Sequence, residues 1–278
     1  MHKVRGVEGQ HSRRAVLAAL GAAALAACAP VASPTPARTS EPTQASDTPE
    51  PSASARLSQK PAPAGPLIAG IGRNSAGDIT NGPRTTDRVA LTFHGAGSIA
   101  IARQVLDRLR GDSIHATVFA VGSWLASNPD AATWVEKQGH EVGNHTMHHL
   151  PMLTLNEAQA QSEVTNCCKE LAHSLGQVGP WFRPSGTSQS NGVVRRAAAV
   201  AGYRERISFD IDSWDWRDLG AATIVARVAA QVRQGSIISM HLGHTDTIAA
   251  LPEILSTLRS RGLQPVTVTE LLTTTTTH

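Results

Sequence analysis

Three histidines fall within five residues in the stretch Gly143-Asn144-His145-Thr146-Met147-His148-His149-Leu150-Pro151. The pairs His145/His149 and His145/His148 have the i,i+4 and i,i+3 separations that bring side chains together on one helical turn. Neutral imidazole is a favoured zinc ligand, and two ligands placed on one turn need only a third from elsewhere. A polar loop that happened to be rich in histidine would look the same, so the weight rests on its company. That company is Thr92-Phe93-His94-Gly95, Phe182-Arg183-Pro184-Ser185-Gly186, Asp210-Ile211-Asp212-Ser213-Trp214-Asp215-Trp216 and Ser239-Met240-His241-Leu242-Gly243-His244.

The elements that must position these groups alternate. Short β-prone runs are predicted at Arg88–Phe93, Ala116–Val121, Arg206–Ile211, Ser236–His241 and Pro265–Val268, with shorter ones at His140–Val142 and Trp181–Arg183. Between them lie segments of helical period at Ile99–Arg110, Ser123–Gln138, Leu155–Leu175, Gly192–Ala201, Ala221–Gln234 and Thr247–Arg261. This order predicts an α/β fold, a parallel sheet with helices outside it. About seven parallel strands in one domain predict a distorted (β/α) barrel, whose active site would sit where strands run out into helices. The polar residues fall at those strand ends five times in succession, which a merely structural barrel would not need.

Taken in order, five stretches resemble the polysaccharide deacetylase family, the NodB-like domain of carbohydrate esterase family 4, over residues 87–272. They are Val89-Ala90-Leu91-Thr92-Phe93, the His-Thr-x-x-His of 145–149, Phe182-Arg183-Pro184, Asp212-Ser213-Trp214-Asp215-Trp216, and His241 at the end of a Gly-Ser-Ile-Ile strand. The resemblance implies a divalent metal, usually zinc, and hydrolysis of N-acetyl groups on chitin-like or peptidoglycan polysaccharide. It implies metal ligation by His145 and His149, and His241 as general acid for the leaving amine. It further implies Asp215 and Trp216 as the pair that packs against and orients His241, Arg183 as the residue that orients the base, and Trp216, Pro184 and Ser185 at the substrate. Metal polarisation of the carbonyl and a protonated imidazole for the amine suit amide cleavage.

The first motif departs from the family's pattern. Where the family has an aspartate base followed by an aspartate ligand, this chain has His94 and Gly95, and Gly95 has no side chain to bind with. His94 could reach the metal as the third ligand, since a three-histidine site leaves a fourth position open for water. It could instead act as base, with an ordinary pKa near 6.5 suited to that work. Or the site is inactive and the domain binds glycan, or metal, without cleaving. Ser239 and Ser185-Gly186 also differ from common members; Ser239 puts a hydroxyl where an apolar wall accepts the acetyl methyl.

Other polar residues have simpler readings. Asp210 and Asp212 fit satisfied structural pairs, His115 and His140 lie at strand starts, His173 sits on a solvated helix face, and His244 fits an exposed loop. Trp124, Trp134 and Trp181 read as packing, whereas Trp214 or Trp216 could stack on a pyranose ring.

The chain ends read differently from its middle. Ser12-Arg13-Arg14 precedes an apolar run from Ala15 to Ala27, too short to span a bilayer, and the run closes on Leu25-Ala26-Ala27-Cys28. That resembles a bacterial lipoprotein signal, implying lipidation at Cys28 and a chain anchored on the outer face of the cell membrane; an ordinary cleaved secretory signal is the alternative. Residues 28–65, rich in Pro, Ser, Thr and Ala, read as a disordered tether. The domain is then 66–278. Removing the four cations and one anion of residues 1–27 from totals of 25 and 22 leaves 21 of each, so no basic patch argues for nucleic acid. Adjacent Cys167 and Cys168 read as small helix residues without a disulfide framework, and a monomer is expected because nothing calls for a second copy.

Overall fold

The computed structural model describes residues 60–274. The expected signal (1–27), Cys28 and most of the expected tether lie outside the described residues. The last of that tether does not: the Ala62 amide donates to the Val178 carbonyl at 2.9 Å.

A two-stranded antiparallel ribbon, β1 (Gly72–Arg73) and β2 (Ile79–Asn81), precedes the main sheet. The chain then runs β3 (Arg88–Gly95), α1 (Ile99–Gly111), β4 (Thr117–Ala120), α2 (Gly122–Ser127), α3 (Ala131–Lys137) and β5 (Glu141–Asn144). It continues through α4 (Glu157–Leu175), α5 (Gly192–Ala201), β6 (Ile211–Asp212), α6 (Ala221–Gln231), β7 (Ile237–His241), α7 (Thr245–Ser260), β8 (Gln264–Val266) and α8 (Val268–Leu272). All pairings of the main sheet are parallel, in the order β5-β4-β3-β7-β6, with β8 beside the start of β3. Among the described residues no helix is long and apolar enough to cross a membrane.

This is the α/β architecture expected, with one arc thinner than expected. The strand predicted at Trp181–Arg183 is reduced to single bridges from Phe182 to Asn144 and to Arg206. Pro180 and Pro184 flank it, and proline has no amide to give a ladder. The strand predicted at Arg206–Ile211 forms a ladder only at its end, because its amides are divided: Ile207 donates to Phe182 and Ser208 to Ile79. Residues 206–212 thus join Phe182 on one side and β7 on the other, and the pairings starting from β3 return to β3.

Alternation along each strand separates two environments. Val89, Leu91 and Phe93 of β3 pack with the helices in the larger core. Ala90 faces the other way and packs with Phe119, Trp181, Ile207 and Ile237 against Val268, Leu271 and Leu272 of α8. Two residues further on, that same face of β3 carries Thr92 and then His94, and β7 carries Ser239 and then His241. The inner face is therefore apolar where strands begin, closed by α8, and polar where they end.

The helix predicted over Ser123–Gln138 is two helices. Pro129 supplies no amide, and Asn128 caps α2 by donating from Nδ2 to the Trp124 carbonyl at 2.8 Å. The helix α5 has its predicted bounds, set by Asn191 accepting from the Val194 amide and by Gly202 at φ 98°.

Candidate metal centre and active site

His94 and His241 are register partners on the neighbouring strands β3 and β7. That register brings His94 Nδ1 within 2.9 Å of His241 Nε2. The other nitrogen of His241, Nδ1, donates to Asp215 Oδ1 at 2.7 Å. Asp215 Oδ2 accepts from the His241 amide and from Thr247 Oγ1, each at 2.7 Å. Burial pushes the Asp215 carboxyl up, but the bonds from His241 and Thr247 outweigh it and hold the group below its ordinary value.

Arg183 lies on the opposite side of His94. Its guanidinium is buried against the rings of Phe119 and Phe209, 4.2 and 5.4 Å away. It donates to the carbonyls of Ile207 and Ser208, to Thr92 Oγ1, and at 3.4 Å to His94 Nε2. Burial with no carboxylate among these partners lowers its pKa to about 9. Arginine can only donate, so His94 Nε2 is an acceptor and His94 Nδ1 carries the proton toward His241. A single chain of donors results: Arg183 to His94, His94 to His241, His241 to Asp215. In this arrangement both nitrogens of His94 are engaged.

His145 follows β5. Its Nδ1 donates to the Arg183 carbonyl at 2.8 Å, which fixes the tautomer and leaves Nε2 as a lone-pair site. That Nε2 is buried and has no hydrogen-bond partner among the described residues. One nitrogen from each of His94, His145 and His149 lies within 4.8 Å of the others. The rings of His94 and His145 stack at 4.1 Å, and His149 stands 4.9 Å from His145. Burial first, then neighbouring histidines, push the pKa of His94 and His145 well below the ordinary value, and that of His149 down as well. Neutral imidazoles with an orphaned buried nitrogen are a donor set that fits zinc or a similar ion.

His145 and His149 do not share the helical turn that their spacing predicts. Residues 145–151 form a loop in which Thr146 and His149 have φ of 69° and 57°. Left-handed conformations cost non-glycine residues energy and persist only where the surroundings impose them. Here Asn144 Oδ1 accepts from the Thr146 amide, and the first amides of α2, from Gly122 and Ser123, bond the carbonyls of Thr146 and Met147. Glu163 of α4 takes the His148 amide on Oε2 at 2.8 Å and His148 Nδ1 on Oε1 at 2.7 Å. Ser185 Oγ bonds the Leu150 carbonyl and Thr146 Oγ1. Ser185 and Pro184 are therefore buried beside the loop, with the Ser185 hydroxyl serving the fold of that loop.

Gly95 faces away from the histidines. A Cβ there would stand 2.9 Å from Val118 Cγ1 and 3.1 Å from Ala120 Cα. Asp210 pairs with Arg84 at 2.7 Å, and Asp212 accepts from the Trp214 amide. His140 is buried and accepts from the Ala116 amide on Nδ1, while His173 is exposed. His244 bonds the exposed Asp218 at 2.9 Å and lies 5.8 Å from the His241 ring, so it belongs to the rim. Trp216 is 46% exposed on the same rim, whereas Trp181 is fully buried. Sequence reasoning missed Thr247 and Glu163. Glu163 had a signal: it follows Ala160 by three on the buried stripe of α4, where a lone carboxylate requires a partner.

A model of the family described as polysaccharide deacetylase matches residues 81–205. The peptidoglycan-N-acetylglucosamine deacetylase of Bacillus cereus is 34% identical over 194 residues, covering 68% of this chain and 90% of that protein. One from Listeria monocytogenes is 31% identical over 188 residues, but the chain spans only 39% of its length. Among solved structures, a family 4 carbohydrate esterase from Streptomyces lividans in complex with acetate superposes with a TM-score of 0.59 at 32% identity, covering 64% of this chain and 91% of that one. A family 4 pseudoenzyme from Bacillus anthracis superposes with a TM-score of 0.66 at 25% identity, covering 71% and 69%. With nine tenths of a relative matched at that identity and the same fold in both structures, the chain belongs to the polysaccharide deacetylase family.

Proposed function

We propose that this protein is a metal-dependent hydrolase that removes N-acetyl groups from an aminosugar polymer of the cell surface. The observation that carries this is the joining of two features at one strand end: an acid pair, His241 on Asp215, and a histidine cluster with an unpartnered, buried His145 Nε2. His145 and His149 would hold the ion, with His94 as third ligand if it turns from Arg183 or His241. Bound there, zinc supplies Lewis-acid polarisation of the amide carbonyl and lowers the pKa of water.

The chain's own residues supply the rest. Asp215 holds His241 Nδ1, so Nε2 is the nitrogen left to face a substrate; the proton that the attacking water gives up makes His241 an imidazolium, which the carboxylate stabilises and which passes that proton to the leaving amine. Thr247 and the His241 amide fix the carboxylate in place. His94 bonds that Nε2 in the absence of substrate and passes it to the substrate when displaced. Relatives named as deacetylases of peptidoglycan N-acetylglucosamine make that polymer the leading substrate class. The signal at 1–27, lipidation at Cys28 and a tether from 28 whose last residues dock on the domain at Val178 complete the proposal: a domain held outside the membrane by its lipid.

A second reading is favoured by one observation. His94 occupies the acid's Nε2, and among the described residues no carboxylate stands with the three histidines. A non-catalytic glycan-binding domain would have that arrangement, and a pseudoenzyme is among the similar structures. The test is release of free amine from N-acetylglucosamine oligomers by the full chain before and after chelation. Turnover abolished by chelator and restored by zinc supports the hydrolase; zinc-saturated protein without turnover supports the second reading.

A further inference from the structure

Beside the acid pair the rim carries a stack of two tryptophans and two arginines. The Arg227 guanidinium lies 3.3 Å over the Trp214 ring. Arg217 lies 4.8 Å from the Trp214 ring and 5.1 Å from the Trp216 ring. Trp214 thus contacts both guanidiniums, and Arg217 contacts both indoles. The backbone is shaped for it: Trp214 and Asp218 adopt φ of 61° and 50° on either side of the turn Asp215–Arg217. Such left-handed residues cluster where a structure presents side chains for use.

The stack belongs to the site by direct connection. Asp215, which holds His241, is the neighbour of Trp216, and Asp218, the neighbour of Arg217, bonds His244. Arg227 is tied down by Nε to the Asp212 carbonyl. Arg217 differs: it is exposed, and among the described residues its guanidinium has ring contacts but no carboxylate or hydrogen-bond partner. Trp216 presents an exposed indole face next to it. An aromatic face takes the apolar side of a pyranose ring, and a guanidinium held against aromatic rings offers a fork of donors to a carboxylate.

We propose that Trp216 and Arg217 form a subsite for a sugar bearing a carboxylate substituent, adjacent to the residue whose amide is cleaved. The ring stacks on Trp216 and the carboxylate pairs with Arg217. The subsite refines the proposed glycan substrate and rests on that reading for its role in turnover. It would make the protein distinguish an acidic polymer, such as one alternating aminosugars with lactyl-ether aminosugars, from a neutral homopolymer.

The experiment compares binding of two tetrasaccharides to the full chain by calorimetry, with amine release recorded in parallel. One probe is neutral tetra-N-acetylchitotetraose; the other is a peptide-free glycan tetrasaccharide in which alternate sugars carry lactyl carboxylates. Wild type should bind the acidic probe about tenfold more tightly, the effect of one charge-assisted pair. Arg217→Gln should lose that preference and keep neutral binding within twofold, with an unchanged thermal midpoint. Arg217→Lys should recover part of it. Trp216→Ala should weaken both probes. Equal binding of the two probes by wild type, no measurable binding of either, or a preference that survives Arg217→Gln overturns the subsite. Amine release judges the hydrolase separately, since a preference in binding without turnover upholds the subsite and rejects the hydrolase.

Discussion

Replacing Asp215 by Asn tests the acid pair at its support. The carboxylate is fully buried and accepts three bonds at 2.7 Å, from His241 Nδ1, the His241 amide and Thr247 Oγ1. Asparagine keeps one acceptor oxygen and replaces the other by a donor. If its oxygen meets His241 Nδ1, its amide nitrogen faces the backbone N–H of His241, which cannot reverse its role; the Thr247 hydroxyl can rotate. If the amide nitrogen meets the ring instead, His241 must change tautomer, and its Nε2–H then opposes the Nδ1–H of His94. Either orientation mispairs two buried donors, at about 1–3 kcal/mol each. A loss of about 2–4 kcal/mol is expected in urea unfolding, with a thermal midpoint lowered by roughly 10 °C for a domain of this size.

The same substitution removes the charge that stabilises the imidazolium, so kcat should fall about 10²- to 10⁴-fold with little change in KM. The pH dependence has a definite sign. The folded carboxyl titrates below its ordinary value, so its contribution to stability is present above pH ~4 and is lost as pH falls through the folded pKa. The variant should therefore lose less stability than wild type on acidification below pH ~4. An Asn variant within about 0.5 kcal/mol of wild type and within threefold in kcat would refute the assigned role, because mispairing at a fully buried site would then have no cost.

Other positions give independent expectations. Glu163→Ala removes the clamp on His148 and frees the strained loop; zinc affinity by competition titration should weaken about 10- to 100-fold, with Glu163→Gln intermediate. His140 is buried with its pKa lowered to about 4, chiefly by burial. The unfolded chain takes up its proton near pH 6.5 and the folded one only near pH 4, so His140 makes stability fall with pH across that window by at most about 3 kcal/mol. His140→Asn should flatten that part of the curve measured by urea titration at several pH values. Gly95→Asp would press a Cβ against Val118 and the Ala120 backbone, at about 1–3 kcal/mol. Val118→Ala added to it should recover only part in the same unfolding assay, since the Ala120 contact remains.

The fold was legible wherever local signals were complete. Helix α5 has a polar cap at Asn191 and a glycine at 202, so its bounds follow from caps alone. The segments that misled depend on partners far away in sequence. Residues 206–212 look like one β-prone run, yet their amides are shared between Phe182, Ile79 and β7, which no local pattern reveals. The short helix α8 was hidden by its apolar run, although Thr267 and Glu270 form a capping box whose spacing was on view.

The site was legible for the residues that carry charge or imidazole at strand ends. The spacing of His145 and His149 predicted that the two rings meet on a helical turn; they do meet, but two left-handed residues bring them together. That loop conformation depends on Asn144, Glu163, Ser185 and the start of α2, none adjacent to both histidines. His94 was ambiguous because its partners, Arg183 and His241, are decided by strand register and not by sequence distance.

Elemental analysis of the full chain after zinc reconstitution and dialysis tests whether the histidine cluster is a metal centre. About one zinc per chain is expected for wild type and none for His145→Ala, which lacks a buried nitrogen that has no partner among the described residues. Wild type that retains no metal, or a His145→Ala variant that retains as much, would contradict it.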